Sequence, residues 1–495
     1  MKDNPKIPES LYSTWTSTKV TICFLLLISF SYISYSLKYI HPYLCTQQSQ
    51  STHFQSQLSI PLYHQNPQIQ KPEEPKTNIS HIVFGIAASA DLWPHRKNYI
   101  KLWWRPDQMR GNVWLDQPVK TEPKLDHTLL PKLRISGDTS GFKYRNPKGH
   151  HSAIRISRIV SESFRLGMEN VRWFVLGDDD TFFVAENLVR VLQKYDHNQF
   201  YYVGGSSESH LQNIYFSYNM AYGGGGIAIS YPLAKALEKM QDRCIQRYPG
   251  LYGSDDRLQA CMAEIGVPLT KEKGFHQFDV HGSLFGLLAA HPVASLVSLH
   301  HLDVVEPIFP NMDRIHALER LKVPMQLDSA GLVQQSICYD INRSWTVSVS
   351  WGYAVQIFRG ISSAREMELP ARTFLNWYKK ADHTAYPFNT RPVHRHRCQE
   401  PFVYYLSNAI YNTSTNQTVT EYVLYQTEKS ECNWKMANPS RIHKIHVHKT
   451  PDPHLWDKSP RRNCCRILRP NSKKQKDTMV IEVGVCHEDE VVEVW

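Results

Sequence analysis

The feature that most constrains the fold is a series of apolar strands that alternate with helices from His81 onward. Residues 82–88 form an uninterrupted apolar run, which is typical of a strand buried on both faces. Residues 171–176 repeat this pattern, and helical segments follow both runs. Strands that alternate with helices form a sheet covered by helices. The sequence therefore predicts an α/β domain with a largely parallel sheet.

The composition changes on both sides of this region. Residues 45–76 are rich in Gln, Ser, His and Pro and have no apolar period, which is typical of an extended stem. Past about Gln326, segments such as 346–351 and 420–424 alternate or are β-branched. We therefore predict a second, β-rich module that is braced by disulfides.

An apolar, uncharged run extends from Val20 to Leu37, between Lys19 and Lys38. Its length is about that of a membrane span, which needs roughly 18 residues or more. Lysines precede the run, and the next Lys or Arg after Lys38 is Lys71. This asymmetry favours a cytoplasmic N-terminus and a lumenal body. A cleaved signal peptide is the alternative, but tyrosines occupy the zone where cleavage needs small residues.

Two features agree with a lumenal body. Glycosylation sequons begin at Asn78, Asn342, Asn412 and Asn416. An oxidising compartment would pair an even set of eight cysteines: Cys244, Cys261, Cys338, Cys398, Cys432, Cys464, Cys465 and Cys486. Cys45 is left over, either free or linking two chains into a homodimer.

The chain is basic, with a formal net charge of +10. Its Lys and Arg residues are scattered and accompany no nucleic-acid-binding motif, so we predict no nucleic-acid partner. The predicted parts are a cytoplasmic tail (1–19), a transmembrane signal-anchor (20–37), a stem (38–77), the α/β domain (78–325) and the β-rich module (326–495).

Three consecutive carboxylates, Asp178, Asp179 and Asp180, follow the strand that ends at Leu176. Ligands of open α/β sheets bind beyond the carboxyl ends of the strands. Adjacent carboxylates repel one another unless a cation neutralises them, and Mn²⁺ or Mg²⁺ bridges carboxylates to diphosphate oxygens. The alternative is an acidic loop that caps the helix beginning near Ala185. The order of strand, acidic triplet and helix favours a metal and diphosphate site.

Two further loops carry residues suited to a donor and an acceptor. Glycines at 223–226 precede a strand, where they form either a flexible turn or a close backbone approach to a ligand. Asp255 and Asp256 open a helix. They either complement the helix dipole behind a Ser254 cap or supply a general base for an acceptor hydroxyl.

A histidine could complete the metal site. The neutral imidazole of His276 is the predicted ligand, although a lone histidine is more often structural. Four further histidines lie nearby in the sequence and leave the assignment open: His281, His291, His300 and His301.

In this order, the motifs resemble fringe-type glycosyltransferases of glycosyltransferase family 31. The shared features are the acidic triplet after Trp173-Phe174, Tyr202-Val203-Gly204-Gly205, the run 223–230, the acidic pair 255–256 and Phe275-His276. The resemblance covers about residues 81–310. Three tryptophans, Trp93, Trp103 and Trp104, and the C-terminal extension are closer to plant fringe-related proteins of uncharacterised acceptor.

The resemblance implies a GT-A fold, a UDP-sugar donor, Mn²⁺ as cofactor, inversion at the anomeric carbon and a β1,3 linkage. It also implies a single-pass type II topology in the Golgi membrane. Carried over position by position, Asp180 and His276 match metal ligands, and Asp178 and Asp179 face the donor. Asp256 matches the catalytic base, and Asp255 replaces it if the register shifts by one residue. The glycines predicted to contact the donor are Gly223, Gly224 and Gly225.

One departure limits the transfer of specificity. Fringe has Gly-Gly-Ala-Gly-Phe where this chain has glycines at 223–226 followed by Ile227. We therefore predict a hexosyltransferase acting on a glycan or glycoprotein acceptor, without fringe's own specificity. The alternatives are a catalytically inactive Golgi carbohydrate-binding or scaffold protein and, more weakly, a hydrolase built on paired carboxylates.

Overall fold

The computed structural model describes residues 22, 25–33, 35, 75–120, 128–394, 396–425, 432–434, 436–468 and 477–490. Residues from Glu74 to the C-terminus form one compact unit, and the residues before them form a separate unit. The predicted cytoplasmic tail and almost all of the predicted stem lie outside the described residues. In the part of the chain that is described, no helix has both the length and the apolar character needed to cross a membrane.

A seven-stranded mixed sheet forms the centre of the first half of the compact unit. Its strands are β1 (Ile82–Ala87), β2 (Arg110–Leu115), β3 (Lys132–Ile135), β4 (Trp173–Asp178), β6 (Tyr202–Gly204), β7 (Ile227–Ser230) and β8 (Leu269–Lys271). They lie in the order β3-β2-β1-β4-β7-β6-β8. Strands β3, β2, β1 and β4 are mutually parallel, whereas β7 is antiparallel to both of its neighbours. The predicted α/β architecture is confirmed, with one reversed strand.

Helices accompany the sheet and connect it to the rest of the unit. They are α1 (Trp93–Trp103), α2 (Ser152–Ser157), α3 (Ile159–Arg165), α4 (Ala185–Leu192), α5 (His210–Tyr215), α6 (Tyr231–Arg247), α7 (Ser254–Ile265), α8 (Phe285–Ala289), α9 (Arg314–Leu327) and α10 (Ala364–Met367). Local sequence sets several of their ends. Proline lies in the first turn of α1 and α6, where the missing N–H costs nothing. Gly266 ends α7 in the left-handed conformation at φ 80°.

Two small sheets bring distant segments together. The first contains β5 (Phe182–Phe183), β9 (Phe275–His276) and β11 (Ser298–Leu299), with β11 in the middle. The second pairs β10 (Val280–Gly282) with β15 (Phe374–Asn376) in antiparallel fashion. The first sheet places the residue after β11 beside the acidic triplet, and the second ties the C-terminal half to the first half.

An eight-stranded sheet dominates the C-terminal half. Its strands are β12 (Gln335–Asp340), β13 (Trp345–Ser350), β14 (Ala354–Arg359), β16 (Phe402–Asn412), β17 (Gln417–Leu424), β18 (Lys444–Lys449), β19 (Cys464–Leu468) and β20 (Thr478–Gly484). All neighbours are antiparallel except β18 and β20. This region is β-rich, as the alternating pattern past Gln326 indicates.

Four disulfides join all eight cysteines of the predicted set: Cys244–Cys261, Cys338–Cys465, Cys398–Cys432 and Cys464–Cys486. Three of them lie in the C-terminal half. One apolar core extends from Phe84 and Trp173 in the first sheet to Tyr404 and Ile481 in the last. The boundary at residue 326 stays a prediction from composition, since both halves share this core.

Candidate active site

The acidic triplet is fixed at the carboxyl end of β4, in the middle of the seven-stranded sheet. Strand β4 pairs with β1 on one side and with β7 on the other, and its apolar residues are buried. A tight turn follows the strand, because Thr181 N donates to Asp178 O (3.0 Å) and Asp178 N donates to Thr181 Oγ1 (2.9 Å). Thr181 Oγ1 also donates to Gly224 O at 2.7 Å. The turn therefore holds the triplet against the glycine loop.

Ion pairs join the triplet to two residues from other elements, Arg96 and His300, and Arg96 also pairs with Asp303. Arg96 of α1 lies 3.0 Å from Asp179 and 3.4 Å from Asp180, and it also contacts Asp303. His300, directly after β11, lies 3.2 Å from Asp180 Oδ1 and 3.5 Å from Asp178 Oδ2. We call this set the acidic cluster; its members are Asp178, Asp179, Asp180, Arg96, His300 and Asp303.

Negative charge is in excess in the acidic cluster. Its four carboxylates face one guanidinium and one imidazole, so acidic groups outnumber basic groups by four to two. Asp180 is fully buried, and within the described ranges its carboxylate has ion-pair contacts but no hydrogen bond of normal geometry. Burial raises the pKa of Asp179 to about 7 despite the nearby guanidinium. The cluster is thus short of positive charge.

The residues of the cluster fit a divalent ion. Asp178, Asp180 and His300 each offer one ligand atom, and these atoms lie within 4.8 Å of one another. Although burial disfavours the charged imidazole, Asp180 raises the pKa of His300 to about 9. Two carboxylates and one imidazole suit Mn²⁺ better than Mg²⁺, which prefers oxygen ligands throughout. The buried and unbonded oxygens of Asp180 are the observation that supports this fit.

The glycine loop needs glycine because it lies against the acidic cluster. A Cβ on Gly224 would lie 2.0 Å from His300 Cε1, so no side chain fits there. Gly226 has φ 99°, which L-residues avoid. Gly225 N donates to Gln277 Oε1 at 2.8 Å, and Gly223 N donates to Asp255 Oδ2 at 2.9 Å. The run predicted to contact a donor is therefore a rigid backbone surface rather than a flexible turn.

The two adjacent acids at the start of α7 have different surroundings. Asp256 accepts hydrogen bonds from Tyr252 N (2.8 Å) and Gly253 N (2.9 Å), which is the role of a helix cap. Asp255 faces the glycine loop instead, and it shares a small cleft with Asp178 and Gly223. Desolvation, reinforced by the charge of Asp178, raises the pKa of Asp255 to about 7. The geometry thus favours Asp255, the predicted alternative, as the general base.

His276 lies in a separate buried network. Its Nδ1 is 2.7 Å from Glu208 Oε1 and its Nε2 is 2.9 Å from His291 Nε2. Burial lowers the pKa of His276 to about 4, so the ring is neutral. Both ring nitrogens are engaged, and His276 is not among the three residues that could share an ion.

Sequence reasoning did not single out Arg96 or Asp303, and it named His300 only as one of four further histidines that left the metal ligand open. The sequence His300-His301-Leu302-Asp303 after an apolar run was a usable signal, because it places a histidine and an acid at a strand end. Arg96 carries no such signal. It belongs to an ordinary helix and reaches the triplet because α1 lies beside β5, which follows the turn of the triplet.

A larger cavity lies elsewhere. It measures about 1130 Å³ and lies in the C-terminal half, where Phe285, Arg391, Tyr405 and Trp434 are among its lining residues. None of the predicted site residues lines it. We place the chemistry at the small cleft beside Asp178, because the unmatched charge and the candidate base lie there.

A sequence family matches the region of the chain that contains this site. A family described as "Fringe-like" matches residues 139–284, a range that contains the triplet, the glycine loop, the acidic pair and His276. The chain therefore contains a segment that is similar to fringe-like proteins, and this segment holds most of the candidate site.

More particularly, the chain belongs to the family described as "Protein of unknown function, DUF604", which matches residues 212–465, just over half of its length. This match extends from the glycine loop through most of the C-terminal sheet. No curated protein matches the chain.

Solved structures with a remote likeness are glycosyltransferases by name. The mannosyltransferase PcManGT from Pyrobaculum calidifontis, in complex with GDP-Man and Mn²⁺, is 12% identical over 52% of this chain and 66% of that chain, with a TM-score of 0.28. The galactosyltransferase LgtC, in complex with donor and acceptor sugar analogs, is 11% identical over 48% and 94%, with a TM-score of 0.29. Mouse xyloside xylosyltransferase 1, in its apo form, is 10% identical over 42% and 88%, with a TM-score of 0.28.

Proposed function

We propose that the chain is a Mn²⁺-dependent, inverting glycosyltransferase that transfers a sugar from a UDP-sugar to a hydroxyl of a glycan or glycoprotein. The observation that carries this proposal is the grouping of four carboxylates around Arg96 and His300, with Asp179 and Asp180 buried, directly beyond the carboxyl end of β4. Carboxylates grouped in this way repel one another, so a cationic ligand would be favoured there.

Asp178, Asp180 and His300 would hold the ion. His300 would thus take the place of His276, the histidine ligand predicted from the sequence, and Asp178 would join Asp180 as a ligand. When bound, the ion would supply electrostatic stabilisation of the charge that develops on the departing UDP. Arg96 orients Asp179 and Asp180 through its ion pairs and adds one fixed positive charge. A donor would meet the glycine loop at Gly223, which is half-buried, because residues 224–226 are buried and the ring of His300 lies against Gly224.

Asp255 would act as the general base. Gly223 N and Ser254 Oγ donate to its carboxylate at 2.9 Å and 3.1 Å, so its position is fixed. The acceptor oxygen attacks the anomeric carbon while its proton passes to Asp255. The bond from that carbon to the diphosphate oxygen breaks, and its electron pair leaves with UDP. Attack from the face opposite UDP inverts the anomeric configuration.

The decisive experiment measures Mn²⁺ and UDP separately from turnover. Electron paramagnetic resonance of free Mn²⁺ should show one site in the wild-type chain, with affinity weakened at least about 100-fold in Asp180→Asn. UDP-sugar hydrolysis should fall in parallel. Asp138→Asn is the matched control, since Asp138 is an exposed acid of the same sheet region that bonds only its own turn. A wild-type chain without a Mn²⁺ site, or Asp180→Asn with wild-type affinity, would reject the proposal.

A second candidate is the inactive carbohydrate-binding or scaffold protein. The observation in its favour is Arg96, which already contacts two acids of the triplet and so lowers the need for an ion. In that case UDP and Mn²⁺ would leave the unfolding temperature of the chain unchanged.

We also propose the Golgi membrane as the location, with a single-pass type II anchor at residues 20–37. The support is the exposed apolar helix at Leu25–Ile33 and the exposure of three sequon asparagines, Asn78, Asn342 and Asn416. Resistance to carbonate extraction and a mass loss on treatment with peptide N-glycosidase are the expected results. Release by carbonate would contradict the anchor.

The β1,3 linkage remains a prediction from the fringe resemblance, and glycosidic-linkage analysis of the product tests it. A homodimer through Cys45, which lies outside the described residues, is tested by non-reducing electrophoresis of the wild-type chain and of Cys45→Ser.

A further inference from the structure

We infer that the C-terminal half completes the acceptor side of the active site, and that a neutral sugar ring of the acceptor stacks on exposed tyrosines there. We call the surface formed by Tyr215, Tyr252 and Tyr378 the tyrosine platform. The inference rests on the proposed function, because it assigns the acceptor subsite of the same site.

The segment after β15 reaches the acidic cluster. Pairing of β15 with β10 places Trp377 between two histidine rings of the first half, His281 and His301, at 4.9 Å from each centroid and nearly parallel to both. The ring of His301 lies 4.1 Å from that of His300, whose Nε2 lies 3.2 Å from Asp180. A residue of the C-terminal half is thus only two rings away from a candidate metal ligand.

The next residue, Tyr378, joins an aromatic surface beside the candidate base. Its hydroxyl donates to Gln212 Oε1 of α5 at 3.2 Å. At the end of α5, Tyr215 packs at 4.9 Å against Phe216, which packs at 5.6 Å against Tyr252. Burial and then the charge of Asp279 raise the pKa of Tyr378, and the hydroxyls of Tyr215 and Tyr252 add to this shift, as expected of close neighbours.

These rings are unusually open to solvent. Tyr215 is 62% exposed, Tyr252 41% and Tyr378 38%. Tyr252 precedes Asp255 by three residues, just before the helix that contains Asp255 begins. An exposed aromatic surface next to a catalytic group is typical of a ligand site rather than of ordinary surface.

A buried hydroxyl near the platform lacks a partner. Tyr222 is 5% exposed, and its OH has no hydrogen-bond partner in the described part of the chain. Its ring contacts Phe216 at 6.4 Å, and the following residue, Gly223, bonds Asp255. An unmet buried hydroxyl costs about 1 to 3 kcal/mol, so a ligand hydroxyl would be favoured there.

The chemistry favours a neutral sugar over an anion or an apolar peptide. Aromatic faces bind the C–H face of a ring, while tyrosine hydroxyls and Tyr222 bind its hydroxyls. Burial raises the pKa of Tyr222, and the charges of Asp279 and Asp255 raise it further, so both acids act on this hydroxyl. Their negative charge would repel sulfated or phosphorylated acceptors.

The test uses the full chain with UDP and Mn²⁺ present. The probes are p-nitrophenyl glycosides of glucose, galactose, N-acetylglucosamine and fucose, and binding is measured by saturation-transfer NMR. At least one glycoside should bind, and Tyr378→Ala and Tyr215→Ala should each weaken it roughly fivefold to tenfold. Tyr378→Phe, which keeps the ring and loses only the bond to Gln212, should weaken it less. Tyr411→Ala is the control, since Tyr411 is 43% exposed but lies at the far end of β16.

Each outcome decides the inference. Glycoside binding that is unchanged in both alanine variants overturns it and points to another site, such as the large cavity. A wild-type chain that binds UDP but no glycoside also overturns it. Failure to bind UDP rejects the proposed transferase instead, and tyrosine-dependent glycoside binding in that case would still support the platform. Thermal unfolding of each variant shows whether it is folded.

Discussion

Two clusters of charged residues in this molecule differ in how their positive and negative charges are balanced. In the C-terminal half, Lys449 and Asp328 form a fully buried ion pair, and Lys449 also lies over the ring of Trp351 at 5.5 Å. In this pair, one positive charge is balanced by one negative charge. In the acidic cluster, four carboxylates meet two cationic groups. A matched pair needs nothing further and is structural, whereas a surplus of one sign indicates a site for a ligand.

The matched pair gives the largest expected effect on stability. Lys449→Met leaves Asp328 buried without a cation, so the free energy of unfolding should fall by about 3 kcal/mol in urea denaturation. Lys444→Met is the matched control. Lys444 lies on the same strand as Lys449, is 49% exposed and pairs with Glu421 of the neighbouring strand. Its loss should therefore lower the free energy of unfolding by less than about 1 kcal/mol. If both variants lose the same free energy of unfolding, the buried pair is no more important for stability than the exposed pair.

The substitution Arg96→Gln tests the same comparison at the acidic cluster. Without Arg96 the cluster has a larger surplus of carboxylate, so the ion-free chain should lose about 2 kcal/mol of unfolding free energy. Saturating Mn²⁺ should then stabilise the variant more than it stabilises the wild-type chain. Calorimetry with and without Mn²⁺ measures both quantities. If Mn²⁺ stabilises neither protein, the cluster is structural and the comparison fails.

The pH dependence of activity follows from the pKa of Asp255, which is raised to about 7. A base must be deprotonated to accept a proton, so kcat/KM should rise about tenfold per pH unit below pH 7 and level off above it. Donor hydrolysis and transfer are measured from about pH 5.5 to about pH 8.5, with UDP affinity at each pH as the control for metal binding. A flat profile would argue against Asp255.

The smallest effect is expected at the neighbouring acid. Asp256→Ala removes the cap of α7, which should cost about 1 kcal/mol of unfolding free energy while leaving most of the turnover. Asp255→Ala should do the reverse. If Asp256→Ala abolishes turnover and Asp255→Ala does not, the base is Asp256, as the fringe resemblance alone implies.

Local patterns predicted much of this structure. The strand before Asp178 and the alternation with helices can be seen in short windows, because burial on both faces makes a strand uniformly apolar. The acidic triplet and the glycine run were placed correctly relative to the sheet for the same reason. The capping role of Asp256 was also within reach, since Gly253 and Asp256 have the spacing of a capping box.

Contacts between distant segments were not predictable in this way. Choosing His300 over His276 requires knowing that β11 lies between β5 and β9. Arg96 reaches the triplet across 83 residues of sequence, and Tyr378 reaches Gln212 across 166. No periodicity encodes such pairings, because they depend on how the finished sheets pack.

The pairing of β10 with β15 has a practical consequence for anyone who shortens this chain. A protein cut after residue 325 would lose β15, the strand that pairs with β10, and would leave the hydrogen-bonding groups of β10 open. It would also uncover the apolar face that Phe285 and Phe309 present to Tyr353 and Tyr405. Such a fragment is expected to aggregate when expressed, so recombinant production should retain the chain through the last disulfide at Cys486.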